Sequence, residues 1–166
     1  MHSHVRAALL LVLGSLSASL TAQTSVRWTA SFDDALAAAK AAHKVLMLAF
    51  NMPGERANEE MLADHYKDAT LARLSTNTIN VFCSQSPVAC VAGVTAAQQQ
   101  TAEVQARLRV LKIGPGEDVI SPQHVFLDPD GNVLSSVAYR VTKGELEWAW
   151  VDAIHKLDAQ FVWQPS

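Results

Sequence analysis

The apolar positions of this chain follow two spacings, one extended and one helical. Residues 45–50 are a continuous apolar run, which predicts a strand buried on both faces. Residues 78–83 and 123–127 predict two further strands. The turn residues at 128–131 (Asp-Pro-Asp-Gly) then predict a hairpin, with residues 132–140 as its second strand.

Helices are predicted between these strands, because apolar residues recur there three and four positions apart. Ser31 can cap a first helix that ends near His43. Pro53-Gly54 precedes a second helix over residues 55–67, with Tyr66 facing inward. A short strand over residues 26–28 and a helical turn over residues 69–74 complete the first half.

Two capping boxes mark the later helices. Thr95 with Gln98 begins one, and Thr142 with Glu145 begins the last. The order β-α-β-α-β-α-β-β-α predicts an α/β fold with parallel early strands and a closing antiparallel hairpin. The inward residues are expected to be Ala97, Thr101, Val104 and Leu108 in the first of these helices and Leu146, Ala149, Trp150, Ala153, Ile154 and Leu157 in the last.

The N-terminal segment has the pattern of a secretory signal peptide. Arg6 precedes an apolar stretch from Ala7 to Leu20, and we expect cleavage after Ala22. Residues 23–166 would then form a single exported domain, periplasmic or released, without a membrane span. The formal net charge is −3 and no basic stripe is present, so no nucleic-acid partner is expected.

The run from Ile120 to Gly131 (Ile-Ser-Pro-Gln-His-Val-Phe-Leu-Asp-Pro-Asp-Gly) resembles a motif of the thioredoxin-fold family. With the order of elements, this resemblance covers nearly all of residues 23–166. It implies a thioredoxin-like three-layer sandwich, with a mixed central sheet flanked by helices. It also implies that Pro122 is cis and faces the turn after the first long strand. In the family, that turn carries Cys-x-x-Cys at a helix N-terminus.

This chain lacks that pair of cysteines. The family positions fall near Glu55 and Asn58, and no cysteine occurs between Val26 and Phe82. Dithiol exchange at this turn is therefore chemically impossible, and no catalytic residue is expected there. The resemblance still implies a groove that accepts an extended peptide. Its expected lining is Asn51, Met52, Pro53, Gly54, Glu55, Ser121, Pro122 and Gln123.

Cys83 and Cys90 leave three interpretations open. A disulfide between them would pin a loop in an oxidising compartment and contribute roughly 2.5 kcal/mol in the chain-entropy model. The two could instead form a redox-active pair at a displaced site, or remain as free or metal-bound thiols. No histidine is spaced from a cysteine as in a zinc or copper site, so neither a metal nor another cofactor is expected. His124 is expected to be an ordinary surface or hydrogen-bonded histidine.

Since the groove is expected without a nucleophile, we predict an exported module that uses the groove beside Pro122 to bind an extended peptide or an exported protein, or to assist folding. The alternative is a thiol-disulfide oxidoreductase that works through Cys83 and Cys90. A third hypothesis is an accessory domain of a larger envelope assembly. That hypothesis would use Trp148 or Trp150, of which one is expected to face inward and the other outward.

Overall fold

Helices and strands alternate along the computed structural model, which describes residues 24–86, 91 and 93–165. The predicted signal peptide and Cys90 lie outside the described residues. The helices and strands are α1 (Phe32–Ala42), β1 (Leu46–Asn51), α2 (Arg56–Ala63), α3 (Ala69–Leu74), β2 (Ile79–Ser84), α4 (Ala96–Ala106), β3 (Gln123–Leu127), β4 (Val133–Ala138) and α5 (Lys143–Leu157).

The four strands form one mixed sheet in the order β2-β1-β3-β4. β1 pairs in parallel with β2 and antiparallel with β3, and β3 pairs antiparallel with β4. All six residues of β1 are buried, as its continuous apolar run predicts. Phe50 lies opposite both Cys83 and Gln123, so the ends of β1, β2 and the beginning of β3 meet at one edge.

Helices cover both faces of the sheet. Met47 and Ala49 of β1 pack on the side of α2, α3 and α5, whereas Leu46, Leu48 and Phe50 pack on the side of α1 and α4. This alternation is the two-residue period of a strand buried on both faces. The arrangement confirms the predicted three-layer α/β sandwich.

Two elements of the first half are shorter than predicted. The strand expected over residues 26–28 is reduced to one parallel bridge between Thr29 and Val81. The helix expected over residues 55–67 ends at Ala63, and a 3₁₀ turn follows. His65 and Tyr66 are both buried after that break, and the His65 ring nitrogens lie 3.3 Å and 3.0 Å from the carbonyl oxygens of Glu60 and Val141.

The predicted buried stripe of α4 is wrong. Its four residues are all exposed, and Val104 and Leu108 are each 44% exposed. The helix instead buries two alanines and three polar side chains, because the alanines allow close approach to β2 and the polar groups find partners within the fold. These buried residues are Gln99, Ala102, Glu103, Ala106 and Arg107.

The last helix follows its prediction. Thr142 and Glu145 make a reciprocal capping box, and the apolar face is buried. Trp150 is fully buried whereas Trp148 is 67% exposed, as their spacing predicts. No helix in the described part of the chain is long and apolar enough to cross a membrane.

Candidate functional site

The turn after β1 and the segment before β3 lie side by side. The register between β1 and β3 places the end of β1 opposite Gln123, and the Ser121–Pro122 peptide bond just before it is cis. Asn51, Met52 and Ser121 line one small pocket at this edge. The structure therefore brings together both halves of the predicted groove.

Asn58 links the two halves of this site. It is fully buried in the first turn of α2, and its Oδ1 accepts a hydrogen bond from the Met52 backbone N–H at 2.9 Å. The Ser121 hydroxyl lies 3.1 Å from the same Oδ1 and 3.2 Å from the carbonyl oxygen of Phe50, and it can donate to either. An amide side chain thus holds this loop, near the position that the resemblance expects for the second cysteine.

Glu55, at the other family position, is exposed and precedes α2. Its side chain makes no capping hydrogen bond to the helix, although its Oε2 accepts from the Asn58 amide at 3.3 Å. Gly54 is also exposed, and Pro53 is partly buried. Met52 is 38% exposed and is the large apolar side chain that this loop presents to solvent.

The segment at Pro122 is less open than predicted. Pro122 is buried, and its carbonyl oxygen accepts a hydrogen bond from the Tyr139 backbone N–H at 2.8 Å. The Gln123 amide donates to the Ser136 hydroxyl at 3.0 Å. Within the described residues, the backbone N–H and C=O of Ser121 have no hydrogen-bond partner. The open backbone edge is therefore at Ser121, one residue before the predicted centre.

A buried polar network lies beneath the loop. The Asn51 amide donates to the Tyr66 hydroxyl at 3.0 Å, and that hydroxyl is 2.9 Å from Nε2 of His124. Which of these two groups donates the hydrogen bond depends on the tautomer of the His124 ring. Burial, with a smaller effect from nearby His65, lowers the pKa of His124 to about 3. His124 is thus a buried neutral histidine.

This network is only partly satisfied. Oδ1 of Asn51 and Nδ1 of His124 are enclosed and have no partner in the described structure. Burial also raises the pKa of the Tyr66 hydroxyl well above its ordinary range. Tyr66 was predicted to face inward. That the Asn51 side chain points away from the groove and hydrogen-bonds to the Tyr66 hydroxyl was not predicted.

The small pocket beside the loop extends inward to β2 and α4. Its described lining includes Phe50, Met52 and Val119 as apolar walls, together with Cys83, the exposed Gln85 and Glu103. Glu103 is 3% exposed. The sequence analysis missed Gln85 and Glu103 because it assigned the wrong face of α4 to the core. The spacing of Glu103 and Arg107 by four residues was the available signal.

Cys83 is a free, fully buried thiol in this structure. Burial, and then the charge of Glu103, raises the pKa of this thiol far above its ordinary range. A thiol that stays protonated and has no access to solvent is a poor nucleophile. Its predicted disulfide partner, Cys90, lies outside the described residues, so that pairing stays a prediction.

No group of three or more histidine, cysteine or acidic side chains in the described chain is arranged to hold a metal ion.

Solved structures, rather than family models or curated sequences, show what this chain is similar to. No protein-family model matches the chain, and no curated protein matches it. A DsbH oxidoreductase structure is 19% identical over 84% of this chain and 89% of its own, with a TM-score of 0.55. A thioredoxin from Thermus thermophilus is 21% identical over 81% of this chain and 92% of its own, with a TM-score of 0.56. The chain has the thioredoxin fold.

Proposed function

We propose that residues 23–166 form one exported domain that binds an extended peptide segment at the groove between Met52 and Ser121, without thiol chemistry. The observation that carries this proposal is the unpaired backbone of Ser121 beside the exposed Met52 side chain. An extended peptide can add to such an edge through its own N–H and C=O groups. Met52 offers an adaptable apolar contact next to it.

The absence of a nucleophile supports binding rather than redox catalysis. One of the similar structures is an oxidoreductase, but this chain has no cysteine between Val26 and Phe82, and the family positions fall near Glu55 and Asn58. Asn58 also stabilises the loop through its hydrogen bonds to Met52 and Ser121. The alternative oxidoreductase would need Cys83, whose burial and raised pKa oppose attack on a disulfide.

Peptide titration of the mature chain tests this proposal. Extended peptides from a random library would be titrated by calorimetry, and one that binds would then be N-methylated at each position in turn. We expect methylation at the position that pairs with Ser121 to weaken binding about tenfold, because one main-chain hydrogen bond is lost.

The matched protein variants are Ser121→Pro and Ser121→Ala. The first removes the backbone N–H, and the second removes only the hydroxyl. We expect Ser121→Ala to retain peptide binding and Ser121→Pro to lose it. Equal affinities for all N-methylated peptides, or no binding of any peptide to the wild type, would contradict the proposal.

A further inference from the structure

A larger cavity lies at the end of the sheet opposite the groove. Its volume is about 260 Å³, and its lining includes Lys44 and Ile79, which stand where β1 and β2 begin. The groove lies where the same two strands end. Since a cavity of about 15 Å³ already admits one water molecule, this one has room for a small organic ligand. The proposed peptide binding does not use it.

Two basic side chains line this cavity, and neither is neutralised. Nζ of Lys44 donates to the carbonyl oxygen of Thr76 at 2.8 Å. Thr76 also lines the cavity, so the ammonium group is held at its wall, and that bond uses one of its three N–H donors. The Arg27 side chain has no hydrogen bond or ion pair within the described residues. The described lining contains no acidic residue, so the cavity carries an uncompensated positive charge.

Asn80 fixes the backbone that carries Arg27 against β2. The Asn80 side chain is 3% exposed, and its Nδ2 donates to the carbonyl oxygens of Arg27 and Ser75, each at 3.1 Å. The Thr29 N–H donates in turn to the Asn80 carbonyl oxygen at 2.7 Å. The cavity walls are therefore ordered in the free protein. A ligand needs to immobilise only the long basic side chains, which lowers the entropic cost of binding.

The cavity also has an aromatic wall. Trp28 and Ile79 both line it and are partly buried. The Trp28 ring makes edge contacts with the rings of Tyr66 and Phe82, at centroid distances of 5.0 Å and 5.3 Å, which hold it in place. A fixed aromatic side chain beside two cations suits a ligand that joins a planar group to an anion.

We propose that this cavity binds a phosphate monoester, with its phosphoryl oxygens on Arg27 and Lys44 and its organic group against Trp28. A guanidinium binds two phosphoryl oxygens through parallel N–H donors, and an ammonium supplies a compact second charge. A carboxylate carries a single negative charge and matches only one of the two cations. Because the cavity and the groove lie at opposite ends of the sheet, this inference does not depend on the proposed peptide binding.

The test titrates the ¹⁵N-labelled mature chain with phenyl phosphate, inorganic phosphate or benzoate, followed by two-dimensional NMR. At about pH 8 phenyl phosphate is a dianion. We expect a saturable shift of the Trp28 indole N–H signal, which is assigned by its loss in Trp28→Phe. Phenyl phosphate should bind about tenfold more tightly than inorganic phosphate, which lacks the ring, and than benzoate, which carries one charge.

Arg27→Gln should weaken the binding of phenyl phosphate about tenfold, because charge-assisted hydrogen bonds are lost. Lys44→Gln should have a similar effect, and Lys44→Arg should recover most of the affinity. The matched control is Arg56→Gln, an 85% exposed side chain that begins α2 at the groove end of the sheet, and it should bind as the wild type does. If Lys44→Gln does not fold, Arg27→Gln and its control decide the question.

The absence of a saturable shift with phenyl phosphate, or equal weakening by Arg27→Gln and Arg56→Gln, would overturn the site. Benzoate bound as tightly as phenyl phosphate would overturn the phosphoryl group as the ligand. Inorganic phosphate bound as tightly would overturn the monoester in favour of the free anion.

Discussion

At the scale of single residues, Asn58 holds the site together. It is fully buried, and its side chain bonds both to the Met52 backbone and to Ser121. A pair of cysteines in this region could take part in disulfide exchange, whereas the Asn58 amide holds the loop by hydrogen bonds alone. In this chain the side chain at this position contributes hydrogen bonds to the loop after β1.

Truncation of Asn58 should destabilise the protein. Asn58→Ala leaves the Met52 N–H without its acceptor, and we expect the free energy of unfolding to fall by about 1–3 kcal/mol. Urea denaturation followed by circular dichroism measures this loss. Arg56→Ala, a highly exposed position on the same helix, should change it by less than about 0.5 kcal/mol. Equal effects of the two variants would show that the Asn58 bonds contribute nothing.

His124 should make stability depend on pH. Burial lowers its pKa to about 3 in the folded state, against an ordinary value of 6.5. Between these values the unfolded chain binds a proton that the folded chain does not, so the free energy of unfolding decreases as the pH falls. The slope from this one group approaches about 1.4 kcal/mol per pH unit.

The matched variant for this effect is His124→Gln, whose side-chain oxygen can still accept from Tyr66. Urea denaturation between about pH 4 and pH 6 should give a shallower slope for the variant, by close to one proton. Wild type and variant with the same slope would mean that His124 is protonated in the folded state.

At the scale of elements, α4 shows where sequence patterns mislead. Its apolar residues at helical spacing predicted a buried stripe, yet that face is exposed and the opposite, more polar face is buried. Periodicity identifies a helix but cannot show that Gln99 and Glu103 find partners inside the fold. By contrast, α5 followed its pattern, because its buried face is apolar except for the indole N–H of Trp150, which donates to the Thr78 hydroxyl.

Truncations on α5 and in the helical turn that follows α4 should distinguish a buried helix face from an exposed one by their effect on stability. Leu146→Ala on α5 removes a fully buried side chain and should lower the free energy of unfolding by about 2–5 kcal/mol. Leu108→Ala removes a side chain that is 44% exposed and should lower it by less than about 1 kcal/mol. Chemical denaturation of both variants gives the comparison. A loss at Leu108 as large as that at Leu146 would contradict this assignment of the α4 face.

At the scale of the whole molecule, the sheet and its layers were predictable and the site was predictable only in part. Several local patterns together specify the order of elements, because each one encodes its own piece of structure. They are the apolar run of β1, the turn at residues 128–131 and the capping boxes. The expected groove came from the family resemblance and stays a prediction. Three features of the site depend on contacts between residues distant in sequence, which no local pattern predicts. They are the hydrogen bond from the Asn51 amide to Tyr66, the hydrogen bond from the Tyr139 N–H to the Pro122 carbonyl oxygen, and the burial of Glu103 beside the pocket.

The most direct test of the central claim compares peptide affinity in the wild type with that of a Cys83→Ala/Cys90→Ala variant by calorimetry. The sequence has no other cysteine, so the variant can perform no thiol chemistry. We predict that both proteins bind the same peptide with affinities that agree within about threefold, less than one kcal/mol. Binding that requires the cysteines, or that accumulates as a mixed disulfide with the wild type, would contradict the claim that this fold acts here without a thiol.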